Sequence, residues 1–129
     1  MIAGISHITF VVKNLERTAS FFEKIFEARE VYSSSSAKYF LINDLWIALN
    51  IGEPLSERTY NHIAFQIKES EFDSYIERIK EVGVEFRPDR LTREIEEGRS
   101  IYFYDYDNHL FELHTKSLSE RLTCYSQEE

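Results

Sequence analysis

The chain writes one strand twice. Ile5 to Val12 reads Ile-Ser-His-Ile-Thr-Phe-Val-Val, and Tyr60 to Ile67 reads Tyr-Asn-His-Ile-Ala-Phe-Gln-Ile, with histidine in the same place in both. A repeat at this spacing means two copies of one supersecondary unit. The segments downstream of the two copies agree with this. After the first, Asn14 caps a helix expected over Leu15 to Phe26, with Leu15, Ala19, Phe22 and Phe26 at helical spacing. After the second, Ser70 caps a helix with Phe72, Ile76, Ile79 and Val82 as its stripe, and Gly83 ends it. Each helix precedes three expected strands. In the first unit these cover 28–33, Lys38 to Ile42 and Leu45 to Asn50, the last two joined through Asn43-Asp44. In the second they are Val84 to Arg87 and, after a charged loop from Pro88 to Gly98, a hairpin over 99–114 folded at Asp105 to Asn108.

The expected architecture is therefore α+β, two paired β-α-β-β-β modules in a single domain over 1–129. Module one is 1–52, module two is 58–116, and Gly52 to Glu57, with Pro54, links them. Ser117 and Glu120 form a capping box for a C-terminal helix over 117–125.

Composition narrows the partners. Fifteen Lys+Arg against 23 Asp+Glu give a formal net charge of −8, which argues against nucleic acid or an anionic membrane. No apolar run is long enough to span a bilayer, and the N-terminus enters a strand pattern without signal-peptide anatomy. The lone Cys124 excludes an intramolecular disulfide and fits a reducing cytoplasm.

The repeat also places chemistry. His7 and His62 are equivalent, and Trp46 to Asn50 matches Leu110 to His114, so Ala48 stands where Glu112 stands. A carboxylate inside an apolar strand is costly unless paired, hydrogen-bonded or metal-bound; on an exposed edge strand it is ordinary. If the equivalent faces converge, two imidazoles and one carboxylate meet, with an alanine in the fourth corner. That set suits a divalent metal and leaves positions open for substrate or water. His114 shares the face of Glu112, where it could support that carboxylate or stand as a reserve ligand; His109, in the turn, is expected to be solvated.

At this point the residues resemble a family. The paired modules with His7, His62 and Glu112 look like the vicinal oxygen chelate (glyoxalase/bleomycin-resistance) superfamily. Gly4 to Thr9, Thr59 to Phe65, Gly98 to Tyr104, Asp107 to His114 and Leu118 to Leu122 are similar to the fosfomycin-resistance proteins, closest to the FosX type, over nearly the whole chain. The resemblance implies a metalloenzyme that opens the epoxide of fosfomycin, a small phosphonate. It implies Mn(II) as a Lewis acid held by His7, His62 and Glu112. Thr9, Trp46, Tyr60, Ser100, Tyr102 and Arg121 match substrate-pocket positions, and Arg93, with Arg90 next, is the expected cation for the phosphonate. The plain alternative for Arg90, Arg93 and Arg99 is loop solvation. The resemblance also implies a homodimer whose sites draw His7 from one subunit and His62 and Glu112 from the other.

Water is the nucleophile that most motifs favour. One departure bears on it. FosX-type proteins carry a glutamate base just before the Lys-aromatic-Phe-Leu run, on a longer loop. Here Ser33 to Ser36 lead straight into Ala37 and Lys38, so Ala37 holds that place, and the loop has the length seen in thiol-using relatives. Transfer of glutathione or bacillithiol is therefore the first alternative. An Fe(II) extradiol dioxygenase or a non-catalytic drug-binding protein are the others.

Overall fold

The computed structural model describes residues 1–88 and 98–128. Two compact units emerge. One comprises 1–58 with 105–109, the other 59–104 with 110–129.

In the first unit, β1 (His7–Val12), α1 (Leu15–Phe26), β2 (Arg29–Ser33), β3 (Ala37–Ile42) and β4 (Leu45–Ile51) follow the expected order. The sheet order is β1-β4-β3-β2, with β1 parallel to β4 and the other pairs antiparallel. Asn14 caps α1 as expected, its Oδ1 accepting from the Arg17 N–H at 3.0 Å. The stripe of α1 packs Phe22 against Phe10 and Phe40, at ring separations of 6.2 and 6.1 Å. Phe21, Phe22, Phe40, Ile47 and Leu49 are fully buried. Each such side chain contributes about 1.5–3 kcal/mol over an exposed one.

In the second unit, β5 (His62–Gln66), a 3-10 turn (Glu69–Glu71), α2 (Phe72–Val82), β6 (Ser100–Tyr104), β7 (Leu110–His114) and α3 (Leu118–Glu128) complete the chain. The sheet order is β5-β7-β6. Its core holds Ile79, Ile101, Phe103, Phe111 and Leu113. The capping box opens α3: Ser117 N–H donates to Glu120 Oε1, and Glu120 N–H to Ser117 Oγ.

Three local expectations are corrected. Ser70 does not cap α2; it lies in the 3-10 turn, and the cap position is Glu71 without a side-chain bond. The strand expected over Val84 to Arg87 is a single bridge, Phe86 to Phe103, flanked by two bonds, Arg87 N–H to the Tyr102 carbonyl and Tyr104 N–H to the Glu85 carbonyl. His109 is not solvated: its ring packs edge-on to Phe10 at 5.0 Å, and Nδ1 lies 2.7 Å from Asp105 Oδ2.

The registers confirm the repeat. β1 pairs with β4 as Thr9 to Ala48, and β5 pairs with β7 as Ala64 to Glu112. Glu112 therefore occupies the lattice position that Ala48 occupies in the other unit.

Candidate metal centre

β7 is the middle strand of its sheet, and all five of its residues are buried. This disposes of the exposed-edge explanation for Glu112, which keeps 7% of its accessible surface. Strand alternation puts Leu110, Glu112 and His114 on one face, and Ser100 and Tyr102 join them from β6 through the pairs Ser100–His114 and Tyr102–Glu112.

His62 is exposed as a residue at the sheet edge, but its side chain retains only 20% of its surface, because the ring turns inward. Its Nδ1 lies 2.6 Å from the Tyr60 carbonyl oxygen, which can only accept, so Nδ1 carries a proton. Its Nε2 then faces Glu112 Oε1 at 2.9 Å, a second acceptor. A neutral imidazole has one proton, already spent on Tyr60. The pair therefore requires a positive charge beside both atoms, either a second proton or a metal ion. A backbone carbonyl fixing the far ring nitrogen is the usual way a ligating histidine is oriented. These two residues fit a divalent cation.

The carboxylate is prepared in the same sense. Burial pushes the Glu112 carboxyl up, but hydrogen bonds from His114, Ser100 and Tyr102 outweigh it and hold it at about 2. Burial, reinforced by Tyr60 and by the Glu112 charge, pushes the Tyr102 phenol well above its ordinary range, so it remains a neutral donor. Tyr60 and Tyr102 join hydroxyl to hydroxyl at 3.1 Å.

The other expected site residues divide between the units. In the first, His7 and Thr9 lie exposed on one face of β1. The His7 ring lies 4.1 Å from the Trp46 ring, and Trp46 meets Tyr39 edge-on at 5.2 Å. Trp46 Nε1 is buried without a hydrogen-bond partner. In the second unit, Ser100 is fully buried, its hydroxyl 2.7 Å from both Glu112 Oε2 and His114 Nδ1. Arg121 Nη1 lies 3.5 Å from His114 Nε2. Arg93 and Arg90 lie outside the described residues. Among the described residues, no three His, Cys, Asp or Glu side chains gather as a metal-binding group.

One cation escaped the sequence reading. Arg87 holds its guanidinium 4.6 Å over the Tyr60 ring, and its backbone N–H donates to the Tyr102 carbonyl at 2.9 Å. In the sequence it is the last residue of the expected Val84 to Arg87 strand, and no local pattern marks it as a site residue.

A family model for the Glyoxalase/Bleomycin resistance protein/Dioxygenase superfamily matches residues 4–113. The chain belongs to this superfamily. Within it, the chain is 58% identical over 132 aligned positions to the fosfomycin resistance protein FosX of Listeria innocua, covering 97% of this chain and 98% of that one. The aligned length exceeds the 129 residues here, so the relative carries residues that this chain lacks. The metallothiol transferase FosB of Shouchella clausii is 38% identical, covering 98% of this chain and 90% of its own. Among solved structures, a mutant FosX from Listeria monocytogenes complexed with Mn(II) and 1S,2S-dihydroxypropylphosphonic acid matches at a TM-score of 0.91 and 59% identity, covering 97% of this chain and 99% of that one. No helix among the described residues is long and apolar enough to cross a membrane.

Proposed function

We propose that this protein opens the epoxide ring of fosfomycin with water, in a Mn(II)-dependent reaction. The observation that carries the reading is the His62–Glu112 pair, two acceptor atoms 2.9 Å apart on a central strand and its neighbour, in a chain 58% identical to a FosX protein. His62, Glu112 and His7 are the proposed ligands. Mn(II), when bound, supplies Lewis acidity toward the epoxide and phosphonate oxygens.

The chain's own residues do the rest. Tyr60 holds the His62 ring through its carbonyl and presents its hydroxyl beside that of Tyr102. The Tyr102 proton goes to Glu112, so Tyr60 is the phenol that donates to the anionic substrate, and Arg87, over the Tyr60 ring, supplies a described cation for the phosphonate; Arg93 and Arg121 remain further candidates. Thr9 and Trp46, with Ser100, complete the pocket set that the family resemblance indicates.

The active form is a homodimer in which His7 of one subunit completes the set offered by His62 and Glu112 of the other. Support comes from two sheet edges: β1 ends one sheet and β5 the other, each with alternate residues exposed. Unpaired edges of this kind are normally covered. The protein acts in the cytoplasm, where a single cysteine and a small phosphonate drug are both at home.

One feature favours a second reading, thiol addition. Ser34 closes a tight β2–β3 turn: its N–H donates to the Ala37 carbonyl at 2.8 Å, and its Oγ accepts from the N–H groups of Ser36 and Ala37. β2 ends at Ser33 and β3 begins at Ala37, so the connection is Ser34 to Ser36 and carries no carboxylate. Phosphorus NMR of fosfomycin with Mn(II), run without thiol and then with glutathione or bacillithiol, separates the readings. A diol product without thiol supports hydrolysis; product only with thiol supports transfer; no product under any condition removes both.

A further inference from the structure

The metal-side carboxylate has a support line behind it. The Ser100 hydroxyl sits between Glu112 and His114, 2.7 Å from each. The Ser100 hydroxyl donates to Glu112 Oε2 at 2.7 Å. Ser100 Oγ therefore accepts from His114 Nδ1, also 2.7 Å away. The other ring nitrogen of His114, Nε2, faces the Arg121 guanidinium at 3.5 Å, a group that can only donate. Space is reserved for this ring. Gly98 has φ +90°, and a Cβ there would come within 2.9 Å of His114 Cε1 and Nε2 and 2.6 Å of Lys116 Cγ.

We propose that His114 is a positioning residue for the metal centre: acting through Ser100, it commits Glu112 Oε2 to the protein and leaves Oε1 alone for the metal. The proposal rests on Glu112 being a ligand. Its consequence is that Glu112 would offer a bound metal Oε1, while Oε2 stays with Ser100. Supporting groups of this kind change metal affinity by about 10–100-fold.

The test reads Mn(II) affinity by calorimetry, without fosfomycin. Ser100→Ala and His114→Phe should each weaken Mn(II) about 10–100-fold. His114 Nδ1 also lies 3.5 Å from Glu112 Oε2, a longer contact than the 2.7 Å step to Ser100, so the double variant should lose clearly less than the sum of the two single losses. His114→Asn, whose amide nitrogen replaces Nδ1, should recover most of the loss, and His114→Gln, which replaces Nε2, should not. Additive losses in the double variant, or wild-type affinity in His114→Phe, would overturn the proposal. A measurement on the unaltered protein guards against variants that fail to fold: nitrogen-15 NMR should show the His114 proton on Nδ1, and a proton on Nε2 alone would sink the relay. Because none of these readouts involves turnover, failure of the fosfomycin reading leaves them intact, while unchanged Mn(II) affinity in Glu112→Ala would remove the ligand assignment itself.

Discussion

Replacing Glu112 with glutamine keeps the side chain's size and removes its charge. The structure sets the cost in the metal-free protein. The carboxyl is held at about 2 against an ordinary 4.5, despite burial, by His114, Ser100 and Tyr102. That shift corresponds to about 3 kcal/mol at 1.36 kcal/mol per pH unit, and to about 2 kcal/mol after a discount for the water that reaches a partly exposed neighbourhood. The sign follows from linkage. A depressed carboxyl pKa stabilises the fold above the unfolded value of 4.5, and the stabilisation fades as pH falls from 4.5 to about 2. Urea unfolding of metal-stripped wild type and Glu112→Gln should therefore differ by about 2 kcal/mol at pH 6 and converge near pH 2. Ser100, His114 and Tyr102 would still be present in the variant, where the amide accepts through one oxygen only, so the pH dependence of the gap, rather than its size, reports the charge. A gap that stays constant across this range, or widens in acid, would refute the claim that those three donors outweigh burial.

Other outcomes rest on the same geometry. Arg87→Ala should raise KM for fosfomycin by about 10–100-fold, the worth of a charge-assisted hydrogen bond, with a smaller change in kcat, and Arg87→Lys should recover part of it; an unchanged KM would remove Arg87 from the anion site. Restoring a longer β2–β3 loop with a glutamate before Lys38 should raise the thiol-free rate at least tenfold, since a positioned base contributes about 10²–10⁴. If the native protein already hydrolyses fosfomycin rapidly without thiol, the base lies elsewhere. Asn14→Ala should cost about 1 kcal/mol through the lost α1 cap, seen as a lower urea midpoint at unchanged slope.

What the sequence disclosed about the fold was local. α1 begins after Asn14 and ends at Phe26 as its cap and stripe require, and α3 opens at the Ser117–Glu120 box. These signals are carried by residues close together along the chain. Where the outcome depended on a distant partner, the expectation failed. The Ser70 cap gave way to a 3-10 turn, with Glu69 ion-paired to Arg99 at 2.6 Å, a contact no local pattern announces. His109 reads as a polar turn residue, yet Phe10 and Asp105 claim it. Arg87 looks like the frayed end of a strand until the Tyr60 ring is placed beneath it.

The site shows the same division in its chemistry. Histidine at equivalent places in two repeats is a pattern the chain displays openly, and the registers bear out the equivalence of Ala48 and Glu112. Whether Glu112 was a costly carboxylate or an ordinary one turned on strand order, since an edge would have left it in water and the centre of β5-β7-β6 does not. The absent base is the opposite case, legible in sequence and sharpened by structure. Ala37 starts β3, and the neighbouring carboxylates of that hairpin are engaged: Lys38 Nζ lies 2.9 Å from Glu30 and 3.4 Å from Glu16. The bond to Glu30 raises the Lys38 pKa against the opposing effect of burial, with Glu16 assisting, so the cation stays charged and keeps Glu30 occupied. A water molecule entering from this side meets serine hydroxyls and no available carboxylate of the hairpin. Substrate activation and nucleophile activation are thus separable in this chain. The residues around His62 and Glu112 serve the first, and the β2–β3 turn is where the second has to be tested.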